Sequence, residues 1–464
     1  MMQRIFCLPV QNFVCALCML LLLTACAARE AVDTGLRAQP RLSFMRDIAD
    51  IHNLPQDLTI YAKQAGNEPL LTAEEQQRQN ARFDRIFFGP WQAQKARVPL
   101  KELERRFGKG AYGFTENAQA WTSKEWEALR ASAKLDAYPG MAQPGITLRN
   151  TNMRALPTLH ANMERPENTG PENSFDNFQY SALSWATPLF ITHATADGLW
   201  HFVESPLASG WVPADDIAPV DENFMQSWRN SRLAAIIRDE VPLSPKDGAS
   251  GYANIGALFP LFEAKDAAKG DSLALAVPVR GTRGFARTAK VLVSKHQAQP
   301  KPLPLTPARI ARVGNQMMAQ PYGWGGLYER RDCSSSLRDL FTPFGIWLPR
   351  NSSAQSRSGN YVSLENLDIA EKERRIRAGA KAFASLIWMP GHITLYLGEY
   401  KGQSVIFHNI WGLRLFDEGN PHARHVLGRA VVTTLHPGQE LPELETGKTL
   451  IERIGGFVLL PPGA

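Results

Sequence analysis

The hydrophobic positions of this chain change period twice. From about residue 45 to 144 they recur at helical spacing. Thr72 and Glu75 form a capping-box pattern ahead of a helix that should stop at Gly89-Pro90. Thr122 and Glu125 repeat the pattern, and Trp126, Leu129 and Ala133 then share one helix face. From about 145 the texture becomes that of strands. Leu189 to Thr195 is followed by Asp197-Gly198, a hairpin turn signature, and by Trp200 to Glu204. Gly210-Trp211-Val212 is a further short strand. The same texture returns in Leu258 to Phe262, Ser272 to Val279 and Gly284 to Val293. Short strands with close turns predict small barrels. Two in tandem are expected, over 145–222 and 223–304, with one irregular β-domain as the alternative. Gln297 to Leu305 holds three prolines and reads as an extended linker.

Beyond it the pattern is mixed. Thr306 caps a helix with Pro307 in its first position, and Ile310, Val313 and Met317 give its apolar face. Pro321 to Gly326 is rigid and glycine-rich. Leu337, Leu340, Phe341 and Phe344 then have helical spacing, which puts Cys333 in the first turn of a helix. Gly391 to Gly398 alternates as a strand, with His392, Thr394 and Tyr396 on one face and Ile393, Leu395 and Leu397 on the other. Tyr400-Lys401-Gly402 fits a three-residue hairpin loop, and Ser404 to Ile410 returns. That loop sets His408 opposite Thr394, diagonal to His392 on the same face. A two-residue loop sets the histidines on opposite faces.

At 464 residues the chain is too long for one core, so several domains are expected. A formal charge of +6 is modest for this length and gives no nucleic-acid footprint. The N-terminus changes the picture more. Arg4 precedes an apolar run from Phe13 to Ala28, shorter than the ~20 residues a membrane span needs, so it reads as a secretory signal. Leu23-Thr24-Ala25-Cys26 resembles the bacterial lipobox, whose cysteine is lipidated. Ala27 and Ala28 follow, with no aspartate of the inner-membrane retention kind, so an outer-membrane anchor facing the periplasm is expected. Of the cysteines Cys7, Cys15, Cys18, Cys26 and Cys333, three leave with the signal and Cys26 carries lipid. The remaining thiol, Cys333, has no disulfide partner in a monomer and is a reactive-residue candidate.

A lone cysteine is usually a small buried hydrophobe. Here a glycine turn, a helix start and polar neighbours point to a nucleophile. Helix-terminal N–H groups favour thiolate and can bind an oxyanion. His392 is the candidate base and His408 the group that orients it. His422 and His425, after Gly419-Asn420-Pro421, read as loop residues. The histidines show no zinc-site spacing, and no phosphate or dinucleotide fingerprint is present.

These residues carry a family resemblance. Tyr322 to Gly326, Asp332-Cys333-Ser334-Ser335, Leu348-Pro349-Arg350-Asn351-Ser352 and Gly391 to Gly398 resemble the NlpC-type papain-like peptidases. Phe175 to Ser181, Asp197 to Trp200 and Gly210-Trp211-Val212 resemble the bacterial SH3-like domains that precede them. The resemblance implies a multidomain α+β chain: signal 1–25, tether 26–44, helical domain 45–144, two SH3-like domains over 145–222 and 223–304, and a peptidase domain over 305–464. It implies cleavage of peptidoglycan stem peptides at the γ-D-glutamyl-L-diamino acid bond, without metal or cofactor. Cys333, His392 and His408 are then the catalytic set, and Tyr322 an oxyanion support. In that subgroup Asp332 and Ser334 bind the free amine of an N-terminal L-Ala; the alternative is that Asp332 is only a helix cap. Arg331 departs from the pattern, standing where relatives carry an apolar residue, which bears on local packing. A wall-binding protein with an inactive peptidase domain, and an amidase or acyltransferase on the same fold, are the competing readings.

Overall fold

Both expected capping boxes form, opening the helices Ala73–Phe87 and Ser123–Ala133. In each, the threonine hydroxyl accepts from the N3 amide and the glutamate accepts from the cap amide, so two otherwise orphaned donors are satisfied. The computed structural model describes residues 47–108, 113–164, 175–262, 270–418 and 422–461. They lie in one unit, Arg46–Ala464. The signal, the tether and Cys26 fall outside the described residues. Among those described, no helix is long and apolar enough to cross a membrane.

The first β-region is a seven-stranded sheet: β1 (Gln143–Thr147), β2 (Thr151–Arg154), β3 (Gln179–Leu183), β4 (Pro188–Ala194), β5 (Trp200–Glu204), β6 (Ser209–Pro213) and β7 (Ile217–Pro219). Its order is β3-β2-β6-β5-β4-β1-β7. Gly198, at φ +70°, turns β4 into β5 where Asp197-Gly198 announced it. The second region comprises β8 (Leu233–Ile236), β9 (Val241–Leu243), β10 (Gly251–Ala253), β11 (Leu258–Pro260), β12 (Ser272–Arg280), β13 (Ala286–Ser294) and β14 (Ala298–Pro300). These form small antiparallel sheets rather than one.

β14 corrects the linker expectation. The proline-rich segment pairs with β8 at a sheet edge, where a missing N–H costs no ladder bond. Just beyond, Lys301 is buried, 2.6 Å from Asp84 and over the Phe83 ring. Leu303 and Leu305 join the core of the last domain. The segment is therefore a fixed bracket.

The last domain sets helix Cys333–Phe341 against a six-stranded antiparallel sheet of β15 (Asn360–Ser363), β16 (Ser385–Met389), β17 (His392–Tyr400), β18 (Gln403–Arg414), β19 (Arg424–Thr434) and β20 (Gly456–Leu459). Its order is β15-β20-β16-β17-β18-β19. Ile393, Leu395 and Leu397 pack in one core with Leu337, Leu340 and Phe341 of the helix. Tyr396 packs in another with Ile387 and Ile406. Period-2 alternation thus divides β17 as its sequence suggested. Leu337 is fully buried, and truncation to alanine is expected to cost about 2–5 kcal/mol.

The β17–β18 hairpin reaches the expected register by an unexpected route. Its loop has two residues, Lys401 and Gly402, both at positive φ. A bulge between Tyr396 and Gly398 adds one residue to β17 and cancels the shift. Leu395 pairs with Phe407, so the next step sets Thr394 opposite His408.

Candidate active site

Cys333 is the first residue of its helix, capped by Asp332. It is buried, and it is the free cysteine among the described residues. The backbone N–H groups of Ile393 and Ser334 are directed at its sulfur. The thiol therefore lies against the strand that begins with His392, one residue from it. His392 Nε2 is 2.9 Å from His408 Nδ1, so the two rings share one side of the sheet and form a hydrogen-bonded pair.

Their charge states differ from the sequence expectation. Burial, and next the Asp332 carboxylate, push the Cys333 thiol up to about 12. Burial, and next Arg453, push His392 down to about 3. His408 is likewise depressed by burial and by His392. The expected thiolate is thus not the resting form. Removing charge from water outweighs the helix-terminal N–H groups, and thiol and imidazoles rest neutral.

Asp332 also departs from one of its two readings. Its Oδ1 accepts from Ser335 N at 2.8 Å and Ser334 Oγ at 3.0 Å, and its Oδ2 accepts from Arg350 Nη2 at 2.7 Å. Burial, the largest single influence, raises its pKa, but Arg350 and the Ser335 hydrogen bonds together hold the carboxyl below its ordinary value. Ser334 Oγ has two acceptors for its one proton, the Arg350 carbonyl at 2.8 Å and Asp332 Oδ1 at 3.0 Å, and accepts from Arg350 Nη1 at 3.1 Å. Both proposed ammonium ligands are thus engaged, and their negative charge is already matched. The geometry is that of a helix cap locked by a buried ion pair. Arg350 came into view from sequence only as part of a motif. Its Nε donates to Ser181 of β3 at 2.9 Å, tying the cap to the first β-region.

Arg331 is explained by contact. Its guanidinium donates to both carboxylate oxygens of Asp239 at 2.7 Å and to Asp339 at 2.8 Å. Asp239 follows β8, so a charge of the second β-region grips the residue two before Cys333. An apolar residue there has no such partner. Asn409, beside His408, donates to the Arg331 carbonyl at 2.8 Å and links β18 to the same turn.

The front is aromatic. Phe175 stacks on Trp324 with centroids 4.8 Å apart and meets Trp411 edge-on at 5.4 Å. Tyr322 lies 5.8 Å from Trp411 and near enough to the Asp332 carboxylate to feel its charge. Burial first, and that carboxylate as well, keep its phenol protonated, so it is a donor. The glycine turn is needed by shape: a Cβ on Gly325 or Gly326 falls 2.6 Å from Gln179 or Ala182. His425 corrects a loop assignment, since it pairs with Leu413 inside β19.

Comparisons with known proteins bear on the domain order. The NlpC/P60 family model matches residues 319–412. The N-terminal NLPC_P60 stabilising domain matches 15–138, an SH3 domain of SH3b1 type 164–213, and one of SH3b2 type 221–265. The structure is similar to that of a novel NlpC/P60 endopeptidase from Photobacterium damselae subsp. piscicida, with TM-score 0.77 and 25% identity over 88% of this chain and 97% of that one. A more distant NlpC/P60 family protein from Bacillus cereus has TM-score 0.46 and 16% identity over 69% and 100% of the respective chains. No curated protein matches the chain.

Proposed function

The chain is an NlpC/P60-domain protein with an N-terminal stabilising domain and two SH3 domains, and on that premise we propose that it is a cysteine peptidase of the bacterial cell wall. Its bond is the one between γ-D-glutamate and an L-diamino acid in peptidoglycan stem peptides. The observation that carries this reading is the neutral, buried Cys333 beside the strand of a coupled His392–His408 pair.

His392 takes the thiol proton as Cys333 Sγ attacks the γ-carbonyl carbon. The oxyanion is met by first-turn N–H groups and by the Tyr322 phenol. The C–N bond breaks as His392 returns the proton to the leaving amine, leaving a thioester. Water, deprotonated by His392, then adds to the thioester carbonyl, the C–S bond breaks as the proton returns to Cys333 Sγ, and the glutamyl product leaves as a free acid. A preference for a free N-terminal amine is part of the same proposal, although Asp332 is already paired with Arg350.

The test is mass spectrometry of products from L-Ala-γ-D-Glu-diamino acid peptides, free and N-acetylated. L-Ala-D-Glu plus the diamino acid, lost in Cys333→Ala, is the expected result. Cleavage only at an amide outside the peptide, or none, overturns the reading. Equal cleavage of both peptides removes the free-amine preference alone. The protein is further assigned a lipid anchor at Cys26, on the outer membrane and facing the periplasm. Cys26→Ala should move it to the soluble fraction, and unchanged membrane fractionation refutes the anchor.

A further inference from the structure

A hydrogen bond between two neutral imidazoles has a direction, and that direction decides which nitrogen of His392 is basic. The contact runs from His392 Nε2 to His408 Nδ1 at 2.9 Å, so one of the two carries the proton. The other nitrogen of His408, Nε2, lies 3.1 Å from Thr433 Oγ1. That hydroxyl also lies 2.8 Å from the carbonyl oxygen of Thr434. A hydroxyl has one proton, and a carbonyl can only accept. Were the Thr433 proton turned to the histidine, two oxygens would face each other at 2.8 Å with nothing between them. The proton therefore goes to Thr434 O, and Thr433 Oγ1 accepts from His408 Nε2–H. The rest follows along the chain. His408 Nδ1 holds a lone pair, His392 Nε2–H donates to it, and His392 Nδ1 is left as the basic nitrogen.

The surroundings make this choice binding. His408 and Thr433 are fully buried, so water does not substitute for the hydroxyl. Thr433 is held opposite Ile406 by the β18–β19 ladder. Thr434 is pinned in turn: its N–H and Oγ1 donate to Asp50 Oδ2 at 2.7 and 2.9 Å, from helix Ala49–Asn53 of the N-terminal region.

We propose that Thr433 is a positioning residue of the peptidase, which selects the His408 tautomer and through it the nitrogen with which His392 accepts the thiol proton. This rests on the reading of His392 as the base. Thr433→Val keeps the shape and removes the acceptor, so His408 is no longer confined to one tautomer. Thr433→Ser keeps the hydroxyl. The expected result is a kcat lower by at least ~10-fold in Thr433→Val at unchanged KM, with Thr433→Ser within ~3-fold of the native enzyme, against the ~10²–10⁴-fold that a whole general base supplies.

Nitrogen-15 NMR of the histidines supplies the readout that a merely structural role does not move. His408 should carry its proton on Nε2 in the native protein and in Thr433→Ser, and should show mixed tautomers in Thr433→Val. A native His408 protonated on Nδ1, or a Thr433→Val enzyme with native kcat, overturns the proposal. The tautomer measurement needs no substrate. A native protein that cleaves no stem peptide therefore defeats the functional reading while the tautomer still decides this one. Should Thr433→Val fail to fold, the native spectrum decides alone.

Discussion

The two SH3-like regions hold the same catalytic domain in different ways. The first offers neutral polar and aromatic groups to the front: Phe175 on Trp324, Gln179 donating to the Gly325 carbonyl at 3.2 Å, and Ser181 accepting from Arg350. The second offers charge to the back, with Asp239 forming a two-pronged pair with Arg331. Burial, the largest single influence, raises the Asp239 carboxyl, but Arg331 with the Ile255 N–H and Gln320 together keep the group ionised, below its ordinary value. The magnitudes separate the roles. Breaking a buried ion pair costs about 3–5 kcal/mol, because a charge is left unmatched. Losing one hydrogen bond to a charged group, such as that of Ser181 to Arg350, costs about 1.5–3 kcal/mol. One small barrel type thus serves once through aromatic and polar packing and once through charge under the nucleophile's turn.

The sharpest way to test that division is to remove the chemistry without touching either barrel. Cys333→Ala should abolish hydrolysis and leave the thermal midpoint near its native value; His392→Ala should lose ~10²–10⁴-fold in kcat. Appreciable turnover in Cys333→Ala would mean that the nucleophile lies elsewhere. Next in size is the foundation. Asp239→Ala leaves the Arg331 guanidinium with Asp339 and should cost about 3 kcal/mol by denaturant unfolding. Ser181→Ala, at the front, removes one acceptor from the buried Arg350 guanidinium and should cost about 1.5–3 kcal/mol. Equal losses in the two variants would erase the contrast.

The aromatic front should answer in binding rather than stability. Phe175→Ala is expected to raise KM about 5–10-fold, of the order of 1 kcal/mol, with kcat and the unfolding midpoint little changed. A variant that loses stability instead would make Phe175 a second foundation. The smallest effect expected is an absence of change with pH. The base must be neutral to accept a proton, so acid inactivates the enzyme, and burial places His392 at about 3. The thiol ionises at about 12. The kcat/KM profile should therefore be flat between pH 6 and 8. An acid limb near 6.5 would show that the front wall does not keep water from the imidazole.

Sequence alone determined what neighbours along the chain determine. Capping boxes at Thr72 and Thr122, the turn at Gly198 and the two-sided alternation of β17 follow from side chains a few residues apart, and all form. The motif around Cys333 and His392 was legible because a helix start and a strand start are local events. Tertiary structure decided the rest. The histidines meet only because a bulge at Leu397 offsets a two-residue loop, and no periodicity reveals where a strand takes up an extra residue. Asp332 is a locked cap rather than an open ligand because of Arg350, eighteen positions away. Arg331 finds Asp239 ninety-two positions back, and Thr434 finds Asp50 three hundred and eighty-four back. The proline-rich linker is a strand only because β8 offers it an edge. The resting charge of the site was misread for the same reason. A helix start favours thiolate in water, and only the assembled domains remove the water.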